Sequence, residues 1–528
     1  GFITRDDDIY FEINKSIDIF GRVYKEVTLN YVDQLMPEEF MLAGINGMLS
    51  SLDPYTNFMD AGAQKDIDII TKGKYGGIGA TVGIRNENVT IVDLIEGYSA
   101  QRQGMRIGDI IIQINDTPVT KENFEKLSEY LKGEPGTTVN VKVKRETVDE
   151  EIIFSLVREE IEVKNVSYYG FLPAGSKNAY LKLSGFSRTA GEEVKKALIE
   201  LKSQKEIESI VLDLRGNPGG LLDAAIDVCE KFLKKGQLIV SVKGRDSLST
   251  KKYFSAEEPI VGDVKMAALI DEGSASASEI VAGAIQDHDR AVLIGTNSFG
   301  KGLVQTIIPL SYNTSLKITT ARYYTPSGRS IQKVNYSEKN KVFDLSPEIN
   351  QKEFKTDHKR TVFSAGGIMP DSIVKNESGS RLVQKLLADG MFFKFATNFF
   401  NNNLKSNLKN YSSETLLREF TAYLKTQKFE FISRTAKLLD QLKTAWVEEN
   451  INSKLLEQLE KVKTQVDTDG SNELEKYKDD LLFGIEEELA ARTDGRQGRI
   501  KESLKHDKQF ITAYNVLRDK KKYWALLK

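Results

Sequence analysis

MAALIDEGSASASEIVAGAIQDHDRAVLIGTNSFGKGLVQTIIPL, residues 266–310, is the stretch around which the whole chain is organised. Its first residues, Met266–Ile270, are apolar and predict a buried strand. Residues 271–273 predict a turn, and the apolar residues that follow at helical spacing predict a helix through Ile285. Residues 303–310 are rich in β-branched side chains and predict a second strand. The stretch therefore predicts a strand, a tight turn and a helix, and then another strand.

Three serines, Ser274, Ser276 and Ser278, precede or begin the predicted helix. The free N–H groups and the dipole of a helix N-terminus favour negative charge that develops there. A strand, a sharp turn and a helix together are also a common way to hold a nucleophile rigidly at a sheet edge. The same residues are equally typical of a capped, tightly packed helix. From the residues alone, each serine is a candidate nucleophile and none is preferred.

Lys301 is the only charged residue between Ala291 and Leu316. Removal from water disfavours the ammonium and lowers the pKa of lysine from about 10.4 toward the neutral range, where the amine can act as a general base. A serine beside such a lysine needs no histidine. A lysine in an apolar stretch also commonly extends to water, so this role is a hypothesis. The apolar neighbours in sequence are Val292, Leu293, Ile294, Phe299, Leu303, Val304, Ile307 and Ile308.

A nucleotide-binding P-loop is the competing interpretation of Gly295–Lys301. The glycine and lysine spacing fits, but Gly302 stands where a P-loop has the serine or threonine that binds magnesium. A P-loop lysine also opens a helix, whereas a strand is predicted here. We therefore reject nucleotide binding.

With these residues identified, the segment resembles the core of the C-terminal processing peptidases, also called tail-specific proteases. These are serine proteases with a Ser-Lys dyad and an inserted PDZ domain. The resemblance covers roughly residues 9–374. It implies that Ser276, the second serine of Gly-Ser-Ala-Ser-Ala-Ser-Glu, is the nucleophile and that Lys301 of Gly-Lys-Gly-x-x-Gln is the base. It further implies that Gln305 orients the lysine. If residues 301–305 form a strand, both side chains share one face because their spacing is even.

A second glycine turn, Arg215–Gly220, follows the predicted buried strand Ile210–Leu214. By itself such a turn could cradle a phosphate or simply reverse the chain. The resemblance implies that a backbone N–H of Gly219 or Gly220 joins that of Ala277 to stabilise an oxyanion.

The sequence GGIGATVGI, residues 76–84, resembles the carboxylate-binding loop and the following strand of a PDZ domain. Glycines let backbone N–H groups approach a terminal carboxylate closely, and the strand then pairs with the bound peptide. The predicted elements that follow, among them a helix over Phe124–Leu131 and a strand over Ile152–Val157, fit the same domain in their order. The expected substrate-binding residues are Gly77, Ile78, Gly79 and Ala80.

The composition is that of an ordinary globular chain of 528 residues. Its net charge of −2 gives no bulk attraction to nucleic acid or to an anionic membrane. Cys229 is the only cysteine, which excludes an intrachain disulfide, and its helical pattern predicts a core position. No Cys or His cluster has metal-ligand spacing, so we expect no metal and no cofactor. A possible calcium loop near Asp467 lacks the required first and last ligands.

We expect no transmembrane helix, because no stretch approaches 18 apolar residues, and the sequence shows no signal peptide pattern. The resemblance implies an exported enzyme, periplasmic or envelope-associated in a Gram-negative bacterium, whose signal segment is absent from this chain.

The expected fold is a multidomain α/β protein. We predict an N-terminal helical region (1–72), a PDZ-like β-rich domain (73–160), a crotonase-like α/β protease core (161–375) and a C-terminal helical extension (376–528). The pattern of the extension allows three roles: dimerisation, docking of a partner, or bracing of the core.

The expected function is a serine endopeptidase that recognises and cleaves protein or peptide substrates near their C-termini. The PDZ domain would bind the substrate tail and could gate the active site. Two other classes remain open: a crotonase-like enzyme that acts on acyl thioesters, and a non-catalytic peptide-binding scaffold with a degenerate protease core. Crotonases lack the PDZ insertion and the Ser-Lys pair, and the intact Ser276, Lys301 and Gln305 argue against a scaffold.

Overall fold

The structure is a computed structural model that describes most of the chain. The described residues are 5–60, 71–85, 87–146, 148–245, 250–333, 351–364, 366–375, 379–403, 411–432, 434–449, 452–471 and 473–528.

The chain begins with a helical hairpin, α1 (Arg5–Asn30) and α2 (Pro37–Ser50), and then a short strand, β1 (Asn57–Met59). Proline in the first turn of α2 and two adjacent glutamates favour its N-terminus there. The rings of Tyr24 and Phe40 stack between the two helices, with centroids 5.7 Å apart. The turn at residues 51–56 follows this hairpin and leads into β1, which pairs with a strand of the core.

The next region is a PDZ-like domain built on a six-stranded antiparallel sheet. Its elements are β2 (Lys74–Gly77), β3 (Ala80–Arg85), β4 (Asn88–Leu94), α3 (Ser99–Arg102), β5 (Ile110–Ile114), β6 (Thr117–Pro118), α4 (Phe124–Leu131), β7 (Thr138–Lys144), β8 (Ile152–Val157) and β9 (Glu159–Glu162). The strand order is β3–β4–β5–β7–β8, with β6 paired to β5, so β3 lies at an edge. Strands β2 and β9 pair with each other and form the stem that joins this domain to the core.

Among the described residues, the core contains two large sheets, a separate two-stranded ribbon and three helices. Its elements are β10 (Val166–Phe171), β11 (Asn178–Leu183), α5 (Ala190–Gln204), β12 (Ser209–Asp213), α6 (Leu222–Glu230), β13 (Leu238–Gly244), β14 (Thr250–Phe254), β15 (Lys265–Ile270), α7 (Ala277–Asp287), β16 (Val292–Gly295), β17 (Leu303–Pro309), β18 (Ser315–Tyr324), β19 (Glu353–Lys355), β20 (Thr361–Phe363) and β21 (Ser372–Ile373). The central sheet has the order β10–β11–β12–β15–β16–β21 and is parallel except for β10. The second sheet has the order β1–β18–β13–β14, with β17 paired to β18.

The central strands are buried on both faces, which explains their continuous apolar sequences. One face, including Ile210, Leu212 and Ala268, packs against α5, α6 and α7. Alternate residues of the same strands, such as Val211 and Leu269, point to the opposite face.

The C-terminal region consists of helices. They are α8 (Arg381–Ala388), α9 (Met391–Asn402), α10 (Ser413–Thr426), α11 (Arg434–Glu448), α12 (Ser453–Ser471), α13 (Glu473–Lys476), α14 (Lys478–Thr493), α15 (Gly495–Leu504), α16 (Lys508–Arg518) and α17 (Lys520–Leu526). Helices α8, α9, α10 and α14 share a core of their own, where Phe392 and Phe420 stack at 5.2 Å. Residues of α15 to α17 instead cover the second face of the central sheet, where Phe510 meets Tyr180 edge to face. These contacts are the ones that bracing of the core requires, whereas dimerisation and partner docking stay predictions.

The expected architecture is therefore confirmed: N-terminal helices, a PDZ-like domain, a mixed α/β core and a C-terminal helical region follow one another along the chain. Cys229 is fully buried, as its helical pattern predicts. The PDZ-like domain also contacts the C-terminal helices. Arg106 donates a hydrogen bond of 3.2 Å to Asn401, and a side chain at Gly108 would collide with Thr397 of α9.

Candidate active site

Ser276 lies at the carboxyl end of the central sheet, between β15 and α7. Its backbone dihedrals are φ 54° and ψ −111°, a combination that L-residues rarely adopt. Such backbone strain costs on the order of 1–3 kcal/mol and is concentrated at functional sites, where the surrounding structure enforces it. The sharp strand–turn–helix expected from the sequence is present and places a half-buried serine at its corner.

The three serines occupy different environments. Ser274 is fully buried, and its hydroxyl donates to the carbonyl of Leu214 at 2.9 Å. Ser278 is also fully buried and donates to the carbonyl of Asn217 at 2.8 Å. Ser276 is partly exposed and stands at the strained position. The first two hydroxyls hold the turn together, which leaves Ser276 as the accessible nucleophile candidate.

Lys301 lies in the segment between β16 and β17 and is half-buried. Its ammonium nitrogen lies over the ring of Tyr55, 4.5 Å from the centroid. Burial lowers the pKa of Lys301 from its ordinary value, and the positive charge of Lys317 lowers it further. The carboxylates of Glu279 and Asp53 oppose this change. A lysine in this setting is more readily deprotonated than one on the surface.

The carboxylate of Glu279 connects the serine segment to the lysine segment. It is fully buried and accepts the backbone N–H groups of Ser276 at 2.8 Å and Lys301 at 2.9 Å. It also accepts from the Gly300 N–H at 2.7 Å and from the Ser298 hydroxyl at 2.6 Å. Burial raises the pKa of Glu279, while these four donors favour its charged form. One side chain thus fixes the relative position of the two candidate catalytic segments.

Tyr323 of β18 makes a second connection between the same segments. Its buried hydroxyl lies 3.1 Å from the carbonyl oxygen of Ser276 and also contacts the carbonyl oxygen of Lys301. Burial raises the pKa of this phenol well above its ordinary value, so the hydroxyl remains a neutral donor. The backbones of the two candidate residues are therefore adjacent.

No hydrogen bond joins Gln305 and Lys301 in the part of the chain that the structure describes. Strand β17 begins at Leu303, so Lys301 precedes it, and the pairing with β18 is irregular between Val304 and Gln305. The regular alternation that would put both side chains on one face is thus absent. The Gln305 amide instead donates to the hydroxyl of Thr319 at 3.3 Å.

The glycine turn after β12 lies directly against the serine turn. A side-chain carbon built on Gly219 would lie 2.6 Å from the carbonyl oxygen of Ala275 and 2.9 Å from the N of Ala277. Gly219 has φ 97°, so glycine is required there for both space and conformation. Its own N–H donates to the Asn217 side chain at 2.9 Å. Gly220 also lies within the turn, paired with Phe186.

Asn217 positions both turns. This fully buried residue donates to the carbonyl of Leu183 at 2.8 Å, and its backbone carbonyl accepts the N–H of Ala275 at 3.0 Å. Asn217, Glu279 and Tyr323 were missed in the sequence analysis. Glu279 had a detectable signal, because Ser-x-x-Glu before an apolar run is the pattern of a capping box.

The expected peptide-binding residues border a small apolar pocket of about 110 Å³ in the PDZ-like domain. Ile78 and Ala80 line it, and β3 begins at Ala80 with its outer edge unpaired among the described residues. Gly77 also lines the pocket and belongs to β2. Gly79 has φ 78° and packs against Tyr98. The other lining residues are Tyr75, Val82, Val89, Ile111, Ile114, Phe124, Leu131 and Lys132.

Within the described ranges, no three His, Cys, Asp or Glu side chains converge as a metal site requires. Every helix among those residues is too short or too polar to cross a lipid bilayer.

Comparison with known proteins gives three family matches. Peptidase family S41 matches residues 177–339, a PDZ domain matches residues 90–145, and the C-terminal helical domain of a probable PDZ-protease matches residues 382–517. The carboxy-terminal-processing protease of Bartonella bacilliformis is 40% identical over 321 residues, which cover 60% of this chain and 73% of the relative. The carboxy-terminal processing protease CtpB of Bacillus subtilis is 32% identical, over 61% of this chain and 67% of the relative. A solved photosystem II D1 C-terminal processing protease is 26% identical with a TM-score of 0.36, over 59% of this chain and 89% of that chain.

Proposed function

This chain belongs to the carboxy-terminal processing proteases of peptidase family S41, and on that premise we propose that Ser276 and Lys301 form its catalytic dyad. The enzyme cleaves protein substrates near their C-termini. One observation carries the assignment of the dyad. Ser276 alone among the three serines combines a strained backbone with partial exposure, and its segment shares the Glu279 carboxylate with that of Lys301.

In the proposed mechanism, the Ser276 oxygen attacks the carbonyl carbon of the scissile peptide while neutral Lys301 accepts the hydroxyl proton. The tetrahedral intermediate collapses, the C–N bond breaks, and Lys301 returns the proton to the leaving amine. Water then hydrolyses the acyl-enzyme with the same lysine as base. The lowered pKa of Lys301 supports this role, because a larger fraction of the amine is neutral near pH 7 than on a surface lysine.

We propose that the N–H groups of Ala277 and Gly220 stabilise the oxyanion. The close approach of the glycine turn to the serine turn supports a shared site. The Gly219 N–H already donates to Asn217, which favours Gly220 over Gly219 as the donor from this turn. Preorganised N–H donors of this kind commonly contribute about 10²–10³ in rate.

For Gln305, we propose an indirect role. Its hydrogen bond to Thr319 anchors the start of β17, two residues after Lys301, to β18. The amide would therefore hold the strand that follows the base.

The substrate tail is proposed to bind at Gly77–Ala80 and to add a strand along β3. The open edge of β3 and the apolar pocket beside Ile78 support this. The stem formed by β2 and β9 connects this domain to the core. A change in the angle between the stem and the core could therefore gate the active site.

Location and assembly remain predictions. An exported location, periplasmic or envelope-associated, follows from the family resemblance. A homo-oligomer or adaptor contact through residues 376–528 would use helices α8 to α14, because α15 to α17 already cover the central sheet.

The test of the dyad is labelling with a fluorophosphonate, combined with mass spectrometry of a reporter that carries varied C-termini. Ser276→Ala and Lys301→Ala should abolish cleavage, and the label should lie on Ser276. Ser274→Ala and Ser278→Ala should be less stable by about 1–3 kcal/mol, because a buried carbonyl loses its donor, yet retain turnover per folded molecule. An inactive but folded Ser274→Ala enzyme would refute the assignment. Absence of label at alkaline pH would instead favour the alternative of a non-catalytic peptide-binding scaffold.

A further inference from the structure

The turn Asp53–Thr56 joins the N-terminal helices to the active site. The Asp53 carboxylate accepts the backbone N–H groups of Tyr55 at 2.8 Å and Thr56 at 2.9 Å, and the Thr56 hydroxyl at 3.1 Å. One side chain therefore fixes the whole turn. By itself, the sequence Leu-Asp-Pro-Tyr-Thr predicts only the end of a helix, because Asp-Pro disfavours its continuation.

The same turn is anchored to β18 beside the catalytic segment. Strand β1 pairs with residues 315–317 of β18, and the Thr319 N–H donates to the Thr56 hydroxyl at 3.2 Å. The hydroxyl of Thr319 in turn accepts the Gln305 amide. A continuous set of hydrogen bonds thus leads from Asp53 to the strand that follows Lys301.

The ring of Tyr55 is the group that this rigid turn presents to Lys301. The ammonium nitrogen lies 4.5 Å from the ring centroid, within the range of a cation–π interaction. No hydrogen bond joins the side chains of Lys301 and Ser276 among the described residues. The position over Tyr55 is therefore the resting position of the ammonium in this structure.

We propose that Tyr55 is a positioning residue for the base: its ring holds the ammonium of Lys301 and helps to set the pH at which the lysine becomes neutral. This inference rests on the proposed Ser276–Lys301 dyad. It assigns to the N-terminal region a direct part in the active site.

The direction in which the Tyr55 ring shifts the pKa of Lys301 follows from the charged groups around the lysine. Burial and Lys317 of β18 disfavour the ammonium, whereas Glu279 of α7 and Asp53 favour it. The negative face of the Tyr55 ring acts with the two carboxylates, because a cation–π interaction exists only in the protonated state. The Tyr323 hydroxyl, also from β18, stays neutral. Loss of the ring with burial retained should therefore lower the pKa of Lys301.

The test uses full-length enzyme and measures the rate of fluorophosphonate labelling of Ser276 from pH 6 to 10.5. Tyr55→Leu and Tyr55→Met keep an apolar side chain but remove the ring, and each should move the midpoint to lower pH by about half a unit or more. Tyr55→Phe keeps the ring and should keep the wild-type midpoint. Tyr10→Leu, an exposed position on α1, is the matched control and should change nothing.

The outcomes separate this inference from the proposed function. A wild-type rate that titrates, with unmoved midpoints in the Leu and Met variants, overturns the inference and leaves the dyad intact. An equal shift in the Phe variant also overturns it, because the hydroxyl and not the ring would then act. Purely structural damage would lower the rate without moving the midpoint, which again overturns it. A wild-type enzyme that shows no label or no titration overturns both proposals.

Discussion

The carboxylate of Glu279 accepts the backbone N–H of Ser276 at 2.8 Å, and a further 2.9 Å hydrogen bond connects the same carboxylate to the backbone of Lys301. Two segments 25 residues apart in sequence thereby share one buried acceptor. Because Glu279 is fully buried, its four N–H and O–H donors compensate for the hydration that its carboxylate loses on folding.

We expect Glu279→Gln to reduce kcat/KM by about tenfold or more and to destabilise the fold by about 1–3 kcal/mol, because the amide has one acceptor oxygen for four donors. Peptide cleavage and urea unfolding measure the two effects. Glu258→Gln, at an exposed loop position, is the control and should match the wild type. A fully active Glu279→Gln enzyme would show that the shared carboxylate does not position the dyad.

The pH dependence should follow the ionisation of Lys301. Because burial and Lys317 lower its pKa, and because the neutral amine is the active form, activity should rise with pH and reach half its maximum below the ordinary lysine range. Lys317→Gln removes the repelling charge, so the pKa of Lys301 should increase and the profile should move to higher pH.

Steady-state kcat/KM between pH 6 and 10.5 tests this expectation, with Lys251→Gln on an exposed part of β14 as the control. Lys301→Arg should be inactive at every pH, because guanidinium stays protonated. A profile that is flat while chemistry limits the rate would exclude a titrating lysine base.

Substrate length should decide whether the PDZ pocket matters. Amidation of the substrate C-terminus removes the charge that the N–H groups near Gly79 would hold, so long substrates should be cleaved more slowly and short peptides should be unaffected. Ile78→Ser should weaken the preference for apolar terminal residues, because Ile78 lines the pocket. The sequence also predicts that Leu127 lines this pocket, but its side chain lies outside the described residues.

Cleavage of matched free and amidated substrates, in the intact enzyme and in a variant that lacks residues 75–158, provides the measurement. If amidation slows both enzymes equally, the tail receptor lies elsewhere and the Ser276–Lys301 assignment is untouched.

The C-terminal helices should be required for the stability of the core. Phe510→Ala removes an aromatic side chain that packs against Tyr180 and should lower the free energy of unfolding by about 3–5 kcal/mol. Phe254→Ala, half-exposed on β14, is the matched control and should cost far less. Thermal or urea unfolding measures both losses of stability. Equal losses for the two variants would mean that helix α16 is only loosely attached to the central sheet.

The sequence by itself determined the parts of this protein that depend on local pattern. Uninterrupted apolar residues at Met266–Ile270 predicted a strand buried on both faces, and the family motifs identified Ser276 and Lys301 as candidates. The helix Phe124–Leu131 and the strand Ile152–Val157 have the predicted bounds, since spacing of apolar residues at periods of 3.6 and 2 is a local property.

Only the tertiary structure decided what depends on groups distant in sequence. Ser274 and Ser278 resemble Ser276 in sequence, but their hydroxyls bond to carbonyls that β12 and the glycine turn bring near. Tyr55 lies 246 residues before Lys301, and no periodicity relates them. The second face of the central sheet is covered by helices α15 to α17, which are distant from its strands in sequence. Long-range contacts of this kind arise from packing and chain topology, which a local pattern does not contain.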